Sequence, residues 1–237
     1  MVIHLIAGPR NISTALMYSF AQRPDTVVLD EPFYGFFLRH TGIDHPGRDE
    51  IIASMPRDPA GIFGQIEKEE TEKGIVFVKN MAHHLEGFDY RRIDRYRNVF
   101  LIRDPAQMLV SYAKVRTEPT LGDIGLRHQA DLHGQLVAAG QSPLVLDGNE
   151  VRKNPESVLT KLCGALGIPF TEKMLRWPAG PRPEDGIWAR HWYANVHQSR
   201  GFLPPDARAE QVPPHLEPVY AAALPYYHQL RQHAITP

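Results

Sequence analysis

Val2–Phe20, VIHLIAGPRNISTALMYSF, decides the fold. Val2–Ala7 reads as a short apolar strand, Gly8-Pro9-Arg10-Asn11 as a tight turn, and the residues from about Ser13 as a helix. A strand that feeds through a glycine turn into a helix aims the helix's unpaired N–H groups at one point. Free donors and helix dipole both favour negative charge there, so the corner attracts phosphate or sulfate. Arg10 adds a guanidinium fork suited to oxyanions, and Ser13 and Thr14 add hydroxyls. The plain alternative is an ordinary strand–turn–helix corner with a surface arginine.

Outward from this stretch the same alternation repeats. Thr26–Leu29 is a second strand, with Asp30-Glu31-Pro32 at its end. Asp58-Pro59 caps a polar helix that closes near Gly74. Ile75–Val78 is a third strand, leading into Lys79-Asn80-Met81-Ala82-His83-His84, and Asn98–Ile102 is a fourth, leading into Arg103-Asp104-Pro105. The next helix turns Ala106, Leu109, Val110 and Ala113 inward, with Gln107, Ser111 and Lys114 on another face. A helix over Ile124–Ala139, closed by Gly140, leads to a fifth strand, Leu144–Leu146. Asn154-Pro155 then caps an amphipathic helix that stops at Gly167. Strand–helix alternation of this kind builds a three-layer α/β/α domain around a central, mainly five-stranded parallel sheet. The whole of 1–237 reads as one domain. Within it, 171–215 is less regular, a lid or surface segment rich in proline over Trp177–Pro183 and Leu203–Pro218, and 216–233 is a C-terminal helix.

The formal net charge of −1 leaves no general basic field for nucleic acid or acidic membranes, so any anion site is local. The single cysteine, Cys163, forbids an internal disulfide and suits a reducing compartment. The first apolar run is too short for a signal peptide, and no run approaches the ~18 residues of a membrane span. A cytoplasmic protein is expected.

In open α/β sheets ligands bind beyond the carboxyl ends of the strands, and the polar groups Gly8–Thr14, Asp30-Glu31, Lys79–His84 and Arg103 all fall there. Arg103 leaves the fourth strand where a helix begins, and Ser111 lies about two turns into that helix. Guanidinium, helix start and hydroxyl there offer a second anion site, unless Arg103 simply pairs with Asp104. Two such sites suit a ligand with two separated phosphate-like groups.

The segments GPRNISTA (8–15), FLIRDPAQMLVSYAKV (100–115) and VLDGNEVRKNPESVLTKLCGALGIPF (145–170) resemble sulfotransferases that use 3′-phosphoadenosine 5′-phosphosulfate, PAPS. The likeness extends to sulfotransferase-like modules sometimes fused to aminotransferase-like domains. It implies a P-loop-like fold, PAPS as co-substrate, no required metal, and an unidentified small-molecule acceptor with a hydroxyl or amine. It places Gly8, Pro9, Arg10, Asn11, Ile12, Ser13 and Thr14 around the 5′-phosphosulfate, and Arg103 with Ser111 on the 3′-phosphate. Gly186-Ile187-Trp188-Ala189-Arg190 is loosely similar to a late basic segment that also meets the 3′-phosphate, which makes Arg190, and nearby Arg182, further candidates. Asn11-Ile12 departs from the usual Ser-Gly of the loop, and β-branched Ile12 resists a positive φ.

Sulfuryl transfer is in-line displacement, so Arg10 and the loop N–H groups stabilise the leaving phosphate while a base takes the acceptor's proton. Glu31 ends the second strand twenty-one residues after Arg10, where a family branch that this chain resembles places a glutamate base, and the resemblance makes it the first candidate; pairing with Arg10 or capping the next helix is its ordinary alternative. His83 and His84 follow, because imidazole titrates near neutrality and Lys79…His83 is similar to the family's Lys-Thr-His run. Lys79 either contacts the sulfuryl group or balances Glu31. Twelve histidines invite a metal, but the chain has no HExxH and no cysteine pair. Two other readings stay open. One is a Mg-dependent P-loop NTPase or kinase, with VVLDE (27–31) as its acidic strand, although the GxxxxGK[ST] loop is missing. The other is a catalytically silent nucleotide-binding module.

Overall fold

The computed structural model describes residues 1–87, 89–114, 118–205 and 211–237. Six parallel strands form one sheet: β1 (Val2–Ala7), β2 (Thr26–Asp30), β3 (Ile75–Met81), β4 (Arg97–Ile102), β5 (Leu144–Asp147) and β6 (Ala234–Ile235), in spatial order β2-β3-β1-β4-β5-β6. β1 is buried along its whole length because it lies at the centre, with Ala7 level with Met81 of β3 and with Leu101 of β4. Alternate residues of β1 serve opposite faces. Val2 and Ile6 join one core with the helices Pro59–Lys73, Pro105–Tyr112, Leu126–Ala138 and Glu217–Arg231. Ile3, Leu5 and Ala7 join a second core with Ser13–Phe20 and Pro155–Leu166. Two cores on two faces make the expected three layers.

The chain runs from β1 outward to β2, back to β3, and then across β1 to β4. That reversal opens a crevice at the carboxyl end of β1, where ligands of open α/β sheets bind.

Four local readings change, while the stretch after residue 170 stays irregular as expected. β3 continues to Met81, so Lys79 is a strand residue and not part of the following loop. β6 is a short sixth strand, added because the last helix returns the chain beside β5. The helix expected over 124–139 is split into Leu121–Ile124 and Leu126–Ala138 by Gly125 at φ 70°. The break brings Gly125 close to Ala82 and Gly8, where a larger residue would crowd the phosphate-side turn. The helix Pro105–Tyr112 buries Pro105, Met108 and Leu109, an i, i+3, i+4 set, while Ala106 and Ala113 only flank the core. The stretch 171–205 holds single turns, notably Ala189–Trp192 and Ala194–His197. Val115 of the third-helix motif and residues 206–210 of the proline-rich stretch lie outside the described residues. No helix of the described residues is long and apolar enough to cross a membrane.

Candidate active site

The turn after β1 is shaped by the Asn11 side chain and by the close approach of Gly8 to a neighbouring backbone. Asn11 donates from Nδ2 to the Leu101 carbonyl at 3.1 Å, and its Oδ1 accepts from the Ile12 N–H at 2.9 Å. Gly8 passes so near the Ile124 carbonyl that a Cβ there would lie 2.7 Å from it. The positive φ that the loop needs falls on Arg10, at 54°, while Ile12 stays at −87°. The anticipated conflict at Ile12 therefore does not arise, and its side chain packs against the second core. The helix Ser13–Phe20 starts without a side-chain cap, which leaves its first N–H groups to the crevice. Ser13 is buried and Thr14 lines the cavity.

Arg10 does not stand apart from the second anion set. Its Nε donates to Ser111 Oγ at 3.2 Å, and Arg103 donates from Nη1 to the Arg10 carbonyl. Arg103 also reaches Gln107 Oε1 at 3.4 Å, so it is engaged with the loop rather than with Asp104, whose carboxylate caps the helix at Ala106 and Gln107. Arg10, Arg103 and Ser111 thus form one cluster.

The same cavity is also lined by a buried charge network. Lys79 Nζ sits 2.7 Å from Asp30 Oδ1, 2.5 Å from Glu31 Oε1 and 2.5 Å from the Tyr193 hydroxyl. An ammonium has three N–H groups, and all three are taken. The Tyr193 hydroxyl in turn donates to Asp30, at 2.8 Å to Oδ2, and the Gly186 N–H donates to the same oxygen at 3.0 Å. Burial works against the Lys79 cation, but Asp30 and Glu31 outweigh it and hold its pKa above the ordinary range. Burial pushes Glu31 up, only partly offset by Lys79 and reinforced by Asp30. Glu31 pairs with Lys79, not with Arg10, and the following helix takes no side-chain cap from it.

Glu31 Oε2 is 3.6 Å from His84 Nδ1, an atom with no hydrogen-bond partner among the described residues. The His84 ring stacks on Tyr34 at 4.4 Å and meets the His83 ring edge-on at 4.5 Å. Burial first, then the neighbouring His83, His45 and Lys79, lowers the His84 pKa well below that of free imidazole, so the ring is neutral at physiological pH.

Both groups open onto one cavity of about 400 Å³ at the carboxyl edge of the sheet. Its walls carry Pro9 to Thr14, Arg103 and Ser111 together with Glu31, Lys79, His83 and His84. Gly8 lies behind the wall. Arg190 does not line it: its guanidinium pairs with Glu50 and touches His191 on the outside. Arg182 also faces elsewhere, over the Tyr18 ring and 3.5 Å from Glu184. Tyr34, Tyr193 and Arg152 are among the lining residues that carried no readable sequence signal as site residues; Arg152 Nε donates to the Leu203 carbonyl at 2.8 Å. Among the described residues no group of three or more His, Cys, Asp or Glu side chains gathers as a metal site.

Comparison with known proteins agrees with this geometry. The sulfotransferase domain matches residues 1–234. Two Arabidopsis thaliana proteins, branched-chain-amino-acid aminotransferase-like proteins 1 and 2, are 39% and 37% identical over 233 residues, covering 98% of this chain. The chain spans only 42% of the length of each. Among solved structures, the sulfotransferase domain of the Synechococcus PCC 7002 olefin synthase superposes with a TM-score of 0.55 at 16% identity, covering 94% of both chains. A sulfotransferase from Alicyclobacillus acidocaldarius gives 0.55 at 14% identity, covering 98% of this chain and 95% of its own. The match along nearly the full length, on a parallel sheet whose crevice holds the cationic loop, is decisive: the chain belongs to the sulfotransferase-domain family.

Proposed function

We propose that this chain moves a sulfuryl group from PAPS to a hydroxyl or amine of a small acceptor. One observation carries the reading: the Arg10–Arg103–Ser111 cluster and the Glu31–Lys79–His84 network line one and the same cavity of about 400 Å³, within the range of small-molecule sites. The cationic side suits a nucleotide with two anionic ends. On this reading Arg10 gives up its bond to Ser111 when phosphate enters, since Ser111 and Arg103 are expected at the 3′-phosphate and Arg10 at the 5′ side.

The acceptor's oxygen or nitrogen attacks sulfur in line. The new S–O or S–N bond forms as the bond between sulfur and the 5′-phosphate oxygen breaks, and 3′,5′-ADP leaves with that electron pair. Glu31 takes the acceptor's proton, because its buried carboxylate is more basic than a surface one and lines the cavity. Arg10 and the uncapped helix start stabilise the departing phosphate.

The NTPase reading needs an acidic strand end that is available to Mg²⁺. Asp30 is committed to Lys79, Tyr193 and Gly186, which leaves that role without its ligand. Calorimetry with 3′,5′-ADP, 5′-AMP and ATP separates the readings. Binding of 3′,5′-ADP at least about tenfold tighter than 5′-AMP, roughly 1.4 kcal/mol, without added Mg²⁺ supports the proposal. Equal affinities, or ATP binding that needs Mg²⁺, overturn it. Transfer of labelled sulfur from PAPS in an acceptor screen then names the second substrate.

A further inference from the structure

We infer that Asp30, Lys79 and Tyr193 form a positioning network that fixes the orientation of Glu31, leaving Oε2 as the oxygen that meets the acceptor. The inference rests on the sulfuryl-transfer reading only in calling Glu31 the base. The geometry of the network stands without it.

Four features point the same way. Lys79 is 1% exposed and all three of its donors end on protein oxygens, so it is held in one place and presents no N–H to a substrate. One of those donors fixes Glu31 Oε1 at 2.5 Å. The other oxygen, Oε2, is not bound by Lys79 and has His84 Nδ1 at 3.6 Å, so the two oxygens of this carboxylate, on a residue that lines the cavity, differ in their partners. Glu31 itself sits at φ 47°, a left-handed conformation that is costly for a non-glycine residue, and its N–H donates to the Lys79 carbonyl at 2.7 Å.

A merely structural ion pair does not require this construction. Buried salt bridges are weak sources of stability, and apolar side chains fill the same volume as well or better. Here two carboxylates, one ammonium and a phenol are satisfied mutually, and Glu31, which lines the cavity, is held at a positive φ. Tyr193 closes the network from the far end of the chain: its hydroxyl accepts from Lys79 and from Trp188 Nε1 and donates to Asp30. Without it, Lys79 would have a free N–H and could swing from Oε1. Lys79 is thereby a positioning residue and not a sulfuryl contact. The titratable groups facing Glu31 are Asp30 beside it, Lys79 on β3, His84 beyond β3, Tyr34 on the next helix and Tyr193.

The test reads Glu31 directly. The full chain is labelled at glutamate Cδ, and the Glu31 resonance is assigned by its loss in Glu31→Gln and followed with pH by NMR. Asp30→Asn removes a neighbouring negative charge and is expected to move the Glu31 midpoint down. Lys79→Met removes the facing cation and is expected to move it up, each by about one pH unit or more. Tyr193→Phe frees Lys79 and is expected to move it up by less. Opposite directions for Asp30→Asn and Tyr193→Phe support the network, and these two keep the test alive if Lys79→Met does not fold. A midpoint unchanged in all the variants, or shifted one way in all of them, overturns it. Once an acceptor is found, the acidic limb of kcat/KM must move with the midpoint. Failure of the PAPS reading shows instead in wild-type calorimetry, as 3′,5′-ADP binding no better than 5′-AMP, whatever Glu31 does.

Discussion

Arg10 Nε donates to Ser111 Oγ at 3.2 Å across 101 residues of chain, and this bond joins the turn after β1 to the helix after β4. Neither residue is a neighbour of the other in any local sense. They meet because β1 and β4 are adjacent parallel strands whose carboxyl ends share one edge. The cation of the first anion-binding corner is therefore already in reach of the hydroxyl of the second.

Arg103→Ala is expected to weaken 3′,5′-ADP binding by roughly 2–5 kcal/mol, because it removes a desolvated cation from a phosphate. Arg190→Ala is expected to leave that affinity within about twofold, a difference below 0.5 kcal/mol, since Arg190 pairs with Glu50 outside the cavity. Titration calorimetry on both variants is the check; equal losses would put the nucleotide somewhere other than this cavity.

Asn11→Ala removes both the bond to Leu101 and the acceptor for the Ile12 N–H. Loss of about 1–3 kcal/mol of unfolding free energy in urea is expected, together with weaker nucleotide binding, because the loop loses the tie that shapes it. A variant as stable as the parent with unchanged affinity would show that Asn11 does not hold the turn.

Glu31→Gln keeps the shape of the side chain and removes the base. Turnover is expected to fall by a factor of about 10²–10⁴ while 3′,5′-ADP affinity is retained. Full activity in a folded Glu31→Gln enzyme would transfer the base role to His84 or His83.

His4 sits in the central strand between Asn98 and Asn80, with its ring nitrogens 3.1 Å from Asn98 Oδ1 and 3.0 Å from Asn80 Nδ2. Burial lowers its pKa to about 4, the hydrogen bond that the ring donates to Asn98 Oδ1 offsetting only part. The unfolded chain, with histidine near 6.5, binds the proton first. The neutral ring therefore contributes its full stability above pH ~6.5 and loses it progressively as the pH falls toward 4, by roughly 3 kcal/mol in total. Urea unfolding of the wild type and His4→Gln at pH 7.5 and 4.5 measures this. Identical pH slopes in the two proteins would remove His4 as the cause.

Strand ends, helix starts and the phosphate-side turn were legible in the order of residues because their causes are local. Glycine before proline bends the chain after β1, Asp104-Pro105 and Asn154-Pro155 start helices through caps and a fixed proline φ, and short apolar runs set the strands. The same locality made Arg10, Arg103 and Glu31 visible as polar groups at strand ends, hence on one edge of the sheet, with Ser111 two turns into the helix after Arg103. Folding in three dimensions decided what those groups touch. Tyr193 reaches Asp30 across 163 residues, Lys79 is taken into β3 and surrounded by oxygens, and Arg190 turns outward to Glu50. Hydrogen bonds and ion pairs depend on distances of a few ångströms between segments far apart in the chain. Periodicity and composition carry no information at that scale; only the packing of the strands and of the 182–205 segment over them supplies it.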